Sequence, residues 1–278
     1  MPPPSPDLPP HHHSSVIGVF DSGIGGLTVV AALRQHLPSE HIFYVGDTAR
    51  VPYGGKSQET VTRYSQEICQ FLLAQRCKAI VVACNTASAL AVGTLRETLD
   101  VPIVGMIQPG AEAAVRATRN GRIGIIGTRA TVLSRAYDFA IRALSPEAKT
   151  ISHACPVLVP MIEEGWLDDP LTDAAIERYI RPLLDSQIDT LVLGCTHYPL
   201  LGAAISRIAG PGVHIVDSAE NCASSLSRLL QEKHLAAPAN QAGTLQVSLT
   251  DNSIAFLPVL ERSLHLQVGH PSIIRIGL

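Results

Sequence analysis

Short, nearly continuous apolar runs recur along the chain, at residues 16–20, 42–45, 79–83, 103–106, 123–126, 190–193, 213–216 and 245–249. Their length and their wealth of β-branched residues predict strands, and the lack of polar alternation predicts strands covered on both faces. Between them the period changes. After Ser57, the residues Val61, Tyr64, Ile68, Phe71 and Leu72 fall on one helical face, with Ser57 placed to cap the first turn. A second helix is predicted from about Thr172, carrying Ile176, Tyr179, Ile180, Leu183 and Leu184. Strands alternating with such helices predict an α/β fold of mostly parallel sheets flanked by helices.

The runs also repeat. Ile17-Gly-Val-Phe-Asp-Ser-Gly23 is similar to Ile123-Gly-Ile-Ile-Gly-Thr-Arg129 at an offset of 106 positions. Val81-Val-Ala-Cys-Asn-Thr86 is similar to Leu191-Val-Leu-Gly-Cys-Thr196, which sets Cys84 against Cys195 at an offset of 111. Two strand-end motifs in the same order at nearly the same offset predict a duplicated α/β unit. With 278 residues there is chain enough for two cores, and so for a cleft between two domains. Residues 1–15 are proline-rich and end in His11, His12 and His13, a composition that predicts a disordered arm.

Composition narrows the partners. Twenty-one basic and 24 acidic residues give a formal charge of -3, and with 4% aromatics and no basic stripe the chain is not expected to bind nucleic acid. Apolar residues make up 46%, yet no run reaches the roughly 18 needed to span a bilayer, and the start lacks the apolar core of a signal peptide. A cytoplasmic protein without a membrane partner is the expectation. The six cysteines form no C-x-x-C pair and no zinc-like spacing, which predicts free thiols and no metal site. Lys56, Lys78 and Lys149 have no context suited to pyridoxal phosphate, so no cofactor is expected.

Candidate chemistry gathers where a parallel sheet binds its ligands, just past the carboxyl ends of the strands. Asp21 and Ser22 follow the first run, Asp47 the second, Cys84, Asn85 and Thr86 the third, and Cys195, Thr196 and His197 its repeat. A thiol between a strand and a helix N-terminus has its thiolate favoured by the helix dipole, which predicts a pKa drawn from about 8.5 toward neutrality. Asp21 is the candidate neighbour of Cys84, and His197 that of Cys195. Two opposed thiols are what inversion at a carbon needs, one removing a proton from one face while the other delivers a proton to the opposite face. Cys69, Cys77, Cys155 and Cys222 lack a repeated setting and read as buried, inert thiols.

A competing reading starts from Asp21-Ser-Gly-Ile-Gly-Gly-Leu-Thr28, whose Gly23 and Gly25 fit a dinucleotide fingerprint, with Asp47 at the distance of a ribose-binding acid. Thr28 stands where the third glycine belongs, and Asp21 would repel a pyrophosphate. On the alternative of a nucleotide or phosphate sensor, ligand binding would survive loss of both thiols. On the two-thiol reading, the same turn offers Asp21, Ser22 and free N–H groups to a small zwitterion.

Four segments carry a closer resemblance: Phe20-Asp-Ser-Gly-Ile-Gly-Gly-Leu27, Gly46-Asp-Thr-Ala-Arg-Val-Pro-Tyr-Gly-Gly-Lys-Ser57, Ala83-Cys-Asn-Thr-Ala-Ser88 and Gly194-Cys-Thr-His-Tyr-Pro-Leu-Leu201. Together they resemble the glutamate racemases, which supply D-glutamate for bacterial peptidoglycan. The resemblance implies two pseudo-symmetric domains around an interdomain site, with residues 16–109 and 216–278 in the first and 110–215 in the second. It implies Cys84 and Cys195 as the catalytic thiols, Asp21 assisting the first, and His197 with Glu163 assisting the second; Glu164 adjoins Glu163 and competes for that role. Asp21, Ser22, Tyr53, Gly54, Asn85, Thr86, Thr128, Thr196 and His197 would hold L- or D-glutamate. Arg129, next to Thr128, departs from the small residue usual in such enzymes. Relatives often dimerise, which makes a homodimer an expectation. Aspartate and hydantoin racemases and maleate-type isomerases are the near alternatives, and His197 after Cys195-Thr196 weighs against an aspartate racemase, where an acid tends to stand.

Overall fold

The computed structural model of the protein describes residues 16–252 and 256–277. The arm expected at residues 1–15 lies outside the described residues. Four apolar runs of the first half form β1 (Val16–Asp21), β2 (His41–Gly46), β3 (Cys77–Val82) and β4 (Ile103–Gly105). The second half supplies β5 (Arg122–Gly127), β6 (Lys149–Ala154), β7 (Thr190–Gly194) and β8 (His214–Asp217). After them come β9 (Leu245–Leu249) and β10 (Ser272–Ile273). One sheet runs β10-β9-β2-β1-β3-β4 and the other β6-β5-β7-β8, and every pairing is parallel.

The repeat is visible in that order. Dropping β9 and β10, the first sheet reads second, first, third, fourth strand, and so does the second sheet. β1 and β5 are the matching central strands, and β3 and β7 are the strands that lead to the two cysteines. Register aligns the exits: Asp21 lies across from Gly46, and Gly127 lies across from both Ala154 and Gly194. All the chemistry therefore emerges along one edge of each sheet.

Two strands lack an apolar run that would predict them. β6, Lys-Thr-Ile-Ser-His-Ala, is a half-exposed edge strand of mixed polarity. β10 is a two-residue edge strand. The boundary expected between residues 215 and 216 falls inside β8, a strand of the second sheet.

The helices follow their apolar faces. Gln58–Ala74 buries Val61, Ile68 and Leu72, and Ser57 Oγ accepts the Thr60 N–H at 3.3 Å, a cap of about 1 kcal/mol. The other predicted helix is Pro170–Asp185, two residues longer at its start because Asp169 caps it and Pro170 fits the first turn. Thr172 is instead a buried first-turn residue whose hydroxyl donates to Trp166 O. Ser218–Glu232 turns Cys222, Leu226 and Leu230 inward and packs against both Leu27–His36 and Ile107–Ala117. The largest apolar core accordingly takes residues from both sheets, Ile17 and Val81 with Ile126 and Leu193, which fixes the two strand-exit edges relative to each other.

Candidate active site

Both strand-exit edges open into one cavity of about 380 Å³. Ser22, Cys84, Asn85 and Thr86 line it from the first half, and Thr128, Cys155, Glu163, Cys195, Thr196 and His197 from the second. The segment 51–55 closes a further wall. A larger cleft, about 750 Å³, opens beside β8, but no thiol lines it. Reactive groups therefore single out the smaller cavity.

Cys84 ends the link after β3 and caps the helix Asn85–Leu90, its Sγ accepting the Ala87 N–H at 3.5 Å while its S–H donates to the Ser22 hydroxyl oxygen at 3.6 Å. These contacts do not draw the thiol toward neutrality, as the helix-dipole expectation had it. Burial and then the charge of Asp21 outweigh them and push Cys84 up to about 12. In the free protein this group is a thiol.

Asp21, the last residue of β1, is fully buried and does not line the cavity. Its Oδ2 accepts the N–H groups of Gly23 and Gly26 at 3.2 and 3.1 Å. The turn thus spends those N–H groups on Asp21, which corrects the expectation that they face a ligand; Ser22 and Gly23 are the turn's cavity-lining residues. The carboxyl pKa is raised, because desolvation exceeds the opposing charge of His197 and the N–H donors. Oδ1 has no hydrogen-bond partner.

The Cys195 side is built differently. Its Sγ lies 3.9 Å from His197 Nδ1, and His197 Nε2 lies 3.1 Å from Glu163 Oε1. Glu163, at the end of the helix Leu158–Glu163, rather than Glu164, is the residue that reaches the ring. Burial disfavours a charged imidazole, yet the contacts to Cys195 and Glu163 together win and push His197 up to about 10. At neutral pH an imidazolium stands beside the second thiol. The turn after β1 supports it: Thr28 Oγ1 donates to Thr196 O at 2.9 Å, and a Cβ on Gly25 would come within 2.5 Å of His197 Nδ1.

The remaining candidates divide. Asn85 and Thr86 are buried at the cavity wall; Asn85 Oδ1 accepts from the Tyr137 hydroxyl at 2.7 Å, and its Nδ2 has no partner. The Thr86, Thr128 and Thr131 hydroxyls form a cluster 2.9–3.3 Å apart that joins the two halves. Gly54 packs against Thr128 so closely that a Cβ would sit 2.8 Å from the threonine Cβ. Tyr53 lines the cavity, but its hydroxyl donates to Asp47. Asp47 also accepts from Arg50 Nε at 2.7 Å and Thr250 Oγ1 at 3.0 Å, so it braces this loop and is not free for a ribose. Arg129 is exposed at the cavity wall.

A family model described as Asp/Glu/Hydantoin racemase matches residues 27–226. The chain belongs to that family. A glutamate racemase of Syntrophus aciditrophicus is 49% identical, over 94% of this chain and 94% of its own. The fold is similar to a glutamate racemase isoform of Bacillus anthracis, with a TM-score of 0.90 at 42% identity over 96% of this chain and 99% of that one. It is similar also to the Francisella tularensis glutamate racemase solved in complex with D-glutamate, with a TM-score of 0.87 at 35% identity over 94% and 98% of the two chains. As a member of this family the chain is an isomerase.

Several working parts of this racemase-family site carry no signal in the sequence. Tyr137 reads as one apolar position of a helix, and only the fold shows its hydroxyl on Asn85. Cys155 reads as inert, yet it is buried on the cavity wall at the exit of β6, the strand with no apolar run. Phe256, far along the chain, stacks on His197. The spacing that could have found Cys155 is its place after β6, matching that of Asp47 after β2.

Proposed function

We propose that the chain interconverts L- and D-glutamate without a cofactor, with Cys84 and Cys195 as the two bases. The observation that carries this reading is the pair of thiols, delivered by equivalent strands to one small cavity. A thiolate on one side takes the Cα proton, and the electron pair left on Cα spreads into the substrate's α-carboxylate. The opposite thiol then gives its proton to the other face of Cα, becoming the thiolate for the reverse reaction. His197, as imidazolium, stabilises the thiolate of Cys195 and is oriented by Glu163. Cys84 waits as a thiol and proton donor, with Ser22 and the buried Asp21 setting its proton affinity.

Substrate binding falls to the polar wall. The unpartnered Nδ2 of Asn85 and the hydroxyls of Thr86 and Thr196 suit a carboxylate, and Thr128, Tyr53 and Gly54 shape the opposite side. Glutamate is favoured as substrate by full-length relatives that bear that name. On this reading the enzyme supplies D-glutamate for peptidoglycan in the cytoplasm, and the two sheets mark two domains that meet at the site, with β8 in the second. No helix of the described residues is long and apolar enough to cross a membrane, in keeping with that location.

Incubation in deuterium oxide tests the reaction. With either glutamate enantiomer and no added cofactor, deuterium should enter Cα as the opposite enantiomer accumulates. Exchange with aspartate and none with glutamate would overturn the substrate assignment.

A further inference from the structure

We propose that Phe256 is a positioning residue for the Cys195 side of the site, holding the His197 ring in the one plane that meets both Cys195 and Glu163. The proposal rests on the reading of His197 as the proton-handling partner of Cys195. Phe256 is buried and its ring is stacked on His197, with centroids 6.1 Å apart and planes 15° from parallel. That separation lies in the range of favourable offset aromatic pairs.

The two useful contacts of His197 diverge from opposite ring nitrogens, Nδ1 toward Cys195 at 3.9 Å and Nε2 toward Glu163 at 3.1 Å. Only one ring orientation satisfies both. The terminal torsion of histidine is broad, so this orientation must be imposed from outside the side chain. Glu163 is half-exposed and Cys195 is short, which leaves packing to do it. Two surfaces do so, and both come from outside the second half's sheet. Gly25 meets the ring at its Cε1–Nδ1 side with no room for a Cβ, and Phe256 covers it as the residue that leads into the helix Leu257–Leu264. That same helix brings Val259 to Gly165, two residues beyond Glu163. The C-terminal segment thus covers the His197 ring and packs beside the turn that follows Glu163.

Phe256→Leu keeps apolar bulk and removes the flat face. In the free protein, the ring ¹⁵N signals of His197, assigned by their absence in His197→Gln, should titrate near 10 in the unaltered enzyme. In Phe256→Leu the titration should move down by at least one pH unit, as the contacts to Cys195 and Glu163 loosen. Racemisation should lose about tenfold in kcat with KM held within about twofold, since small misplacements of a proton-transfer group act on rate. Phe256→Tyr, which keeps the face, should restore both readouts. An unshifted His197 titration together with unaltered kcat in Phe256→Leu would overturn the proposal. Should the leucine variant not fold, Phe256→Met, which keeps more of the bulk without a flat face, is read by the same two measurements, with the same outcomes supporting or overturning the proposal. If the unaltered enzyme fails to racemise glutamate, the functional reading falls, while the His197 titration still decides the role of Phe256.

Discussion

Cys84 and Cys195 leave equivalent strands of two sheets with the same strand order, and each begins the turn that follows. Around them the equivalence stops. Cys84 has a buried carboxyl behind it that is held by backbone N–H groups, and its thiol is pushed up to about 12. Cys195 has an imidazole held by a carboxylate, and that ring is pushed up to about 10. The repeat offsets pair Asp21 with Gly127 and His197 with Thr86, so neither auxiliary group has a counterpart. The repeated backbone aims both thiols at one cavity, and on the proposed two-base reading the different side chains around them are what would set the two thiols apart.

The sharpest break of this comparison is loss of either sulfur. Cys84→Ser and Cys195→Ser should each lower racemisation by more than about a thousandfold, because a hydroxyl is far too weak an acid to replace either partner. A glutamate analogue with a leaving group on Cβ separates the two sides. Removal of its Cα proton expels the leaving group irreversibly and needs one base only. Each variant should therefore retain elimination from one enantiomer and lose it from the other. Racemisation surviving at the unaltered rate in either variant would end the two-base mechanism.

His197→Gln should act next most strongly, at about a hundredfold on racemisation. The equilibrium constant of a racemase is one, so kcat/KM must fall equally in both directions, and the asymmetry has to be read in the irreversible elimination. There, the enantiomer deprotonated by Cys195 should slow while the other changes by no more than a few-fold. The pH dependence gives the sign. Imidazolium is present below about 10 and lost above it, so the advantage of the unaltered enzyme over His197→Gln in elimination through Cys195 should hold up to that pH and shrink above it. Elimination through Cys84 should climb with pH in both proteins, as its thiol ionises only toward about 12. Equal slowing of both enantiomers would erase the distinction between the two sides.

Much of this is legible in the sequence, for a physical reason. Strands buried on both faces must be apolar throughout, so eight of the ten strands among the described residues announce themselves, and a repeat of whole strands survives as a repeat of letters. Site residues at strand exits are legible because parallel sheets bind ligands there. What is not legible depends on long-range contact or on desolvation. β6 is an edge strand with polar positions, and its exit carries Cys155 into the cavity unannounced. The helix N-terminus beside Cys84 predicts a lowered pKa, but the depth of burial and the charge of Asp21 are properties of the folded chain, and they reverse the sign. Asp47 reads as a candidate ribose-binding acid and Tyr53 as a substrate contact, and in the folded chain the Tyr53 hydroxyl and Arg50 both donate to Asp47.

The smallest test concerns the hydroxyl that shares a hydrogen bond with the sulfur of Cys84. Ser22 Oγ lies 3.6 Å from Cys84 Sγ, whereas the group facing the sulfur of Cys195 is the His197 ring. Once Cys84 has lost its proton the Ser22 hydroxyl can turn to donate and favours the thiolate, so Ser22→Ala should raise the proton affinity of that thiol further and leave the other untouched. A neutral hydrogen bond contributes about 1 kcal/mol, roughly a fivefold effect. Elimination from the enantiomer deprotonated by Cys84 should slow by about that factor, and elimination through Cys195 should not. Because the same thiol must be a donor in the opposite direction, where a firmer hold on the proton matters less than its position, racemisation should fall by no more than the same factor. If instead both eliminations slow together, Ser22 serves the substrate common to both sides rather than the thiol.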